Sequence, residues 1–241
     1  MAQVTTQELS FSADAMQYPA YLARPEGEGP FPGIVVIHEA FGLNDNIKDV
    51  ARRFANEGYV ALAVDLFAGR NQVMCMFRFI RGQLFDSLNH SGIHALKAAL
   101  TCLGEQSGVD SARVGAIGFC LGGGLAIAWA CTDDRLKAIA PFYAVNPRPL
   151  DAVARACPVV GSYPDKDFTT SQGQKLDVAL DRHGVPHDIK IYGKSKHSFF
   201  NDQGRAYNVD AAQDSWQRVL AFFGEHIKAT EAPASSQEHS H

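Results

Sequence analysis

Apolar and polar positions alternate over residues 5–11 and 17–23, the two-residue period of strands with one covered face. A turn-rich link, Arg24-Pro25-Glu26-Gly27-Glu28-Gly29-Pro30, follows. The pattern then changes. Gly33-Ile34-Val35-Val36-Ile37 is a short continuous apolar run, as expected of a strand covered on both faces, and residues 46–56 place Ile47, Val50, Ala51 and Phe54 on one helical face until Gly58. Further strands are predicted over 60–64, 113–117, 138–142, 158–162 and 188–192, with helices over 121–130, 171–182 and 211–223. Strands alternating with helices imply an α/β fold: a mostly parallel, doubly wound sheet with right-handed crossovers, helices on both faces, and sites at the carboxyl ends of the strands. Residues 71–102 fit two helices or one broken helix equally well. No internal repeat or dividing linker is visible, so residues 1–228 are expected to form one domain without a separate lid. Residues 229–241, with Pro233, Ser235, Ser236 and Ser240, read as a disordered tail.

Composition narrows the class. The 241 residues are 46% hydrophobic and 20% charged, which is globular rather than disordered or collagen-like. The net charge of −4 offers nucleic acid no broad basic footprint. Residues 114–131 carry no charge, long enough to raise a membrane span, but Gly115, Gly118, Gly122, Gly123 and Gly124 would weaken a continuous helix. A buried strand, a tight turn and a buried helix fit better. Five cysteines, Cys75, Cys102, Cys120, Cys131 and Cys157, cannot all pair within one chain and include no C-x-x-C. With no basic-then-apolar pattern at the N-terminus, a reducing cytoplasm is the expected compartment.

The chemistry concentrates in Gly118-Phe119-Cys120-Leu121-Gly122-Gly123, between a predicted strand and an apolar helix. It has the form of a nucleophile elbow with cysteine in the serine position, where a sharp turn strains the central residue and small residues at either side let strand and helix backbones approach. Most free cysteines are small buried hydrophobes, the reading kept for the other four; the turn singles out Cys120. A helix N-terminus there favours a thiolate and an oxyanion. Neither G-x-G-x-x-G nor a P-loop can be placed on these glycines, so no nucleotide cofactor is expected.

A thiol nucleophile needs a base and an orienting acid, which in α/β-hydrolase order follow it as acid, then histidine. His197, in Gly193-Lys194-Ser195-Lys196-His197-Ser198-Phe199, lies in a loop after a late strand. The acid belongs in the loop after the strand 158–162, where Asp165 and Asp167 both stand; spacing does not choose between them, and either could be a turn-former or helix cap. His90 and His94, and His183 and His187, are spaced like ligands on one helical face but lack a third ligand, so no metal is expected. Arg78 and Arg81, three apart beside Phe77 and Phe79, either face a cleft or form a solvated helix face.

Together with the cysteine elbow, three further segments carry a resemblance: His38-Glu39-Ala40-Phe41-Gly42-Leu43, Glu57-Gly58-Tyr59-Val60-Ala61-Leu62-Ala63-Val64-Asp65-Leu66-Phe67, and His197-Ser198-Phe199. Over about 33–224 the chain resembles the dienelactone hydrolase family, the small cysteine-dependent branch of the α/β-hydrolase fold. The resemblance implies Cys120 as nucleophile, Asp167 as acid and His197 as base, an oxyanion hole from the backbone N–H groups of Leu121 and Ala40, and Glu39 holding the resting thiol and helping to deprotonate it. The implied activity is hydrolysis of a lactone or small ester without a cofactor. The rivals are a general carboxylesterase, thioesterase or peptidase on the same triad, and a non-catalytic ligand-binding member of the fold. The family's prototype grips a substrate carboxylate with two arginines, one of them four residues beyond the histidine. That position is Asn201 here, which leaves Arg205, Arg78 and Arg81 as candidates for substrate binding.

Overall fold

A computed structural model describes residues 3–228; the tail anticipated over 229–241 lies outside the described residues. β1 (Val4–Ala13) and β2 (Met16–Pro25) form an antiparallel hairpin. Its two turn residues, Asp14 and Ala15, have φ of 46° and 59°, the handedness that matches the twist of the flanking strands. β2 pairs antiparallel with β4 (Val60–Val64). From there the sheet is parallel through β3 (Phe31–Ile37), β5 (Val109–Phe119), β6 (Leu136–Phe142), β7 (Val159–Pro164) and β8 (His187–Tyr192). The spatial order is β1-β2-β4-β3-β5-β6-β7-β8. β5 starts earlier than the predicted 113 because Val109 and Asp110 pair with Phe31 and Pro32 ahead of an irregularity in register, a beginning hidden by the polar Asp110, Ser111 and Arg113.

Among the described residues six α-helices cover the sheet: α1 (Asp45–Asn56), α2 (Gln72–Phe85), α3 (Ser91–Gly104), α4 (Leu121–Ala130), α5 (Thr170–Arg182) and α6 (Val209–Phe223). The apolar run of β3 is buried on both sides, as its sequence demands. Val35 and Ile37 join the core under α3, α4 and α5, while Ile34 and Val36 join the core under α1 and α6. The stretch that periodicity leaves open, 71–102, contains two helices, each with its own cap. Asn71 Oδ1 accepts the Met74 N–H at 3.2 Å, and His90 Nδ1 accepts the Gly92 N–H at 3.1 Å. His94 is engaged elsewhere, 2.8 Å from Asp14. His183 and His187 stand near Asp151 and Asp177 at 3.4 and 3.3 Å, each at a different carboxylate.

The uncharged stretch 114–131 divides into the end of β5, the turn and α4, whose residues are nearly all buried. Among the described residues no helix is long and apolar enough to cross a membrane. The chain leaves β3 for β4 on one side and returns to β5 on the other, with Ile37 in register beside Gly118. This reversal is a topological switch point, where open α/β sheets form their binding crevices. α4 enters it so closely that a Cβ on Gly122 would stand 2.5 Å from the Ile37 carbonyl oxygen and 2.6 Å from that of His38.

Gly122→Ala is therefore expected to force α4 away from β3 and lower stability by about 1–3 kcal/mol or more. A lower urea midpoint at unchanged slope would measure this, and an unchanged midpoint would refute it.

Candidate active site

Cys120 follows β5 and precedes α4, with φ of 53° and ψ of −111°. A non-glycine residue holds such a backbone only where its surroundings impose it. Here the Cys120 N–H donates to the Phe142 carbonyl at 3.0 Å, and a Cβ on Gly118 would collide with the Gly122 carbonyl oxygen. Leu121, as the first residue of α4, has an N–H with no acceptor inside the helix. Leu121 and Ala40 border the same cavity as Cys120.

The neighbouring strand ends bring the remaining groups. After β7, Asp167 Oδ2 stands 2.7 Å from His197 Nδ1 and accepts the Thr169 hydroxyl at 2.5 Å. Burial pushes the Asp167 carboxyl up, but the bonds from His197 and Thr169 outweigh it and hold the group below its ordinary value. Asp165 has a different place: its Oδ1 accepts the Ser195 N–H at 3.0 Å, clasping the loop that carries His197. The choice that spacing leaves open is thus resolved geometrically, with Asp167 on the histidine and Asp165 on the loop backbone. The His197 ring packs against Phe168, stacked at 5.3 Å with an 18° interplanar angle, and against Tyr143, tilted with centroids 4.9 Å apart.

Glu39 is buried after β3. Its Oε1 accepts the Tyr143 hydroxyl at 2.8 Å, and its Oε2 has no partner among the described residues. The Cys120 thiol is pushed up to about 12, first by burial and then by the Glu39 charge; the Leu121 N–H pulls the other way and loses. The expectation that a helix N-terminus would lower this thiol is therefore outweighed in the resting protein. Burial and Glu39 also drive the Tyr143 phenol well above its ordinary value, so it remains a hydrogen-bond donor. The loop bearing Glu39 and Ala40 is braced by His38, which is fully buried: Nε2 accepts the Leu66 N–H at 3.0 Å and Nδ1 meets the Glu39 carbonyl at 2.5 Å. Both contacts suit a neutral ring protonated at Nδ1.

The cavity above Cys120 measures about 310 Å³. α2 supplies Met76, Ile80 and Gln83, α4 supplies Leu121 and Gly124, and Ala40, Tyr143, Val145 and Phe168 complete the wall. Arg78 and Arg81 are not among these residues. They lie on another stripe of α2 and border a separate cavity of about 750 Å³ with Arg70, Val73, Met74 and Phe77. Arg205 is exposed in the connection before α6. The structure therefore unites Cys120, Ala40 and Leu121 around one cavity, with Glu39 behind its Tyr143 wall and the Asp167–His197 pair next to Phe168 and Tyr143, and leaves the three arginines outside its walls.

A model of the dienelactone hydrolase family matches residues 18–227. The chain belongs to the dienelactone hydrolase family. A Saccharolobus solfataricus protein provisionally named a carboxymethylenebutenolidase is 33% identical over 253 residues, covering 90% of this chain and 97% of its own. Among solved structures, a dienelactone hydrolase-like promiscuous phosphotriesterase from metagenomic libraries superposes with a TM-score of 0.83 at 28% identity, covering 94% of this chain and all of its own. An acylaminoacyl peptidase of Pyrococcus horikoshii, 15% identical with a TM-score of 0.76, covers 95% of this chain and 43% of its own, and shares the fold.

Sequence reasoning misses three members of this dienelactone hydrolase site: His38 as the brace of the Glu39 loop, Tyr143 and Phe168. Tyr143 does stand directly after the predicted strand 138–142, where a carboxyl-end site is expected, and Phe168 directly follows the candidate acid.

Two outcomes follow from the electrostatics. Glu39→Gln removes the charge that raises the thiol, so Cys120 should be alkylated faster than in the wild type by iodoacetamide at mildly alkaline pH. Peptide mapping reads the rate, and an unchanged or slower rate would refute the assignment. Burial holds folded His38 below the ordinary imidazole value of 6.5, so the unfolded chain binds the extra proton. Stability present above pH 6.5 should be lost as pH falls below it. Urea midpoints on either side of that pH, with a smaller difference in His38→Gln, would show this.

Proposed function

We propose that the protein is a cysteine-dependent hydrolase of lactones or small carboxylic esters, working through an acyl-thioenzyme intermediate. The observation that carries the reading is the Asp167–His197 pair at 2.7 Å, beside a cavity floored by a cysteine in a strained strand-to-helix turn. Family membership supports the hydrolytic chemistry.

In this mechanism the ester carbonyl lies over Cys120 with its oxygen toward the Leu121 and Ala40 N–H groups. The unpartnered Oε2 of Glu39 is an acceptor for the thiol proton, and the resulting thiolate attacks the carbonyl carbon. Negative charge moves from sulfur to the carbonyl oxygen, where the two N–H groups stabilise it. As the tetrahedral intermediate collapses, the C–O bond breaks and the proton taken from the thiol, passed from Glu39 to His197 beside Asp167, goes to the departing alkoxide. The acyl group remains as a thioester on Cys120. Neutral His197 then takes a proton from water, whose oxygen attacks the thioester carbon. Collapse expels the Cys120 thiolate and releases the carboxylic acid, and the proton that His197 took from water returns to the thiolate. Holding the thiol neutral at rest protects it from oxidation between turnovers.

Cys120→Ala should keep the fold and lose roughly three orders of magnitude or more in kcat on the best lactone or aryl ester. In His197→Ala, rapid quenching with an activated ester should leave an acyl mass on the Cys120 peptide. Full turnover by Cys120→Ala would sink the proposal, and so would an acyl adduct at another residue. Turnover by the wild type that depends on Cys120 excludes the non-catalytic reading.

A further inference from the structure

Among the described residues no cationic side chain borders the cavity above Cys120. Met76, Ile80, Val145 and Phe168 give it apolar walls, and the Tyr143 hydroxyl is already committed to Glu39. The charged group beside it is Glu39, 3% exposed, with one oxygen unpartnered. Gln83 points one amide N–H at the Gly124 carbonyl, 3.5 Å away, and its buried Oε1 has no partner among the described residues, so it brings neutral amide groups and no positive charge.

A substrate carboxylate placed here would lose its hydration without gaining a counter-ion, and would sit near a carboxylate of the same sign. The arginines that could have neutralised it are held elsewhere by helix geometry. Met76, Ile80 and Gln83 fall at i, i+4 and i+7, one stripe of α2, and turn to the Cys120 cavity. Arg78 and Arg81 fall between them in sequence and turn to the other cavity. We infer that, on the hydrolase reading above, this site takes an uncharged apolar acyl group and rejects acyl groups that carry a carboxylate. A volume of about 310 Å³ holds about ten water-sized groups, room for a chain of about six carbons or a benzoyl ring.

The test is a matched pair of esters near neutral pH: p-nitrophenyl hexanoate, and the mono-p-nitrophenyl ester of adipic acid, which ends the same acyl length in a carboxylate. The wild type should favour hexanoate by ~100-fold or more in kcat/KM. Arg78→Ala, Arg81→Ala and Arg205→Ala should each leave that ratio within about twofold. Ile80→Arg, which sets a cation on the cavity wall, should narrow it by ~tenfold or more, chiefly by improving the adipate ester. Adipate turnover within about tenfold of hexanoate in the wild type, or a ratio that collapses when any of the three arginines is removed, overturns the inference. Calorimetric titration of both esters into Cys120→Ala reads the preference without turnover. Hexanoate-selective binding beside Cys120-independent hydrolysis would fail the mechanism and keep the inference, whereas Cys120-dependent hydrolysis of both esters alike would do the reverse.

Discussion

The close contact of α4 with the end of β3 is the constraint on which the site depends. A glycine at 122 lets the helix start within contact distance of the Ile37 and His38 carbonyls, and Gly118 lets the strand before it come equally near. Only with both in place can Cys120 be held at φ 53° by its bond to the Phe142 carbonyl. That backbone fixes the thiol at the switch point and aims the first N–H groups of α4 into the same crevice. The parallel register then sets the other strand ends level with it, Ile37 beside Gly118 and Phe119 beside Phe142. Glu39, Cys120, Tyr143, Asp167 and His197 reach one place because the ends of five neighbouring strands, β3, β5, β6, β7 and β8, do.

Within that frame the electrostatics are opposed in a useful way. Backbone N–H groups favour negative charge at the turn, yet burial and a neighbouring carboxylate hold the resting thiol neutral. Tyr143 occupies one oxygen of Glu39 and leaves the other free, so the carboxylate keeps a defined orientation with one open acceptor. On the far side His197 is held by a carboxylate through Nδ1 and packed by Tyr143 and Phe168, which leaves Nε2 without a partner among the described residues.

Most of the architecture is legible in the sequence, because covered strands and buried helices announce themselves by period. The helix 121–130 coincides with α4, and strand 60–64 with β4. The β-hairpin turn is hidden, since Asp14-Ala15 lacks the glycine that usually marks left-handed turn positions. α2 is obscure for another reason: Cys75 and Phe79 face the core, Met76 and Ile80 a cavity, and Met74 and Phe77 the exterior, so no single apolar stripe stands out. The elbow is readable because its demands are local. Asp167 is not separable from Asp165 by spacing, and Tyr143 is invisible because its role is defined by a partner 104 positions away. The arginines show the limit of carrying residues over by resemblance: presence on the right segment says nothing about which way a helix turns them.

That last point gives α2 a meaning beyond its own residues. Successive helical positions differ by about 100° of rotation, given 3.6 residues per turn. Shortening the connection between β4 and α2 by one residue, with the helix ends otherwise anchored, would turn a different row toward Cys120. Phe77 and Arg81 would then stand where Met76 and Ile80 now do. The charge character of the cavity is thus stored in the length of a loop as much as in the identity of its lining. An evolving lineage could exchange neutral for anionic substrates by a single-codon deletion, with every residue of the helix and of the reactive groups left unchanged.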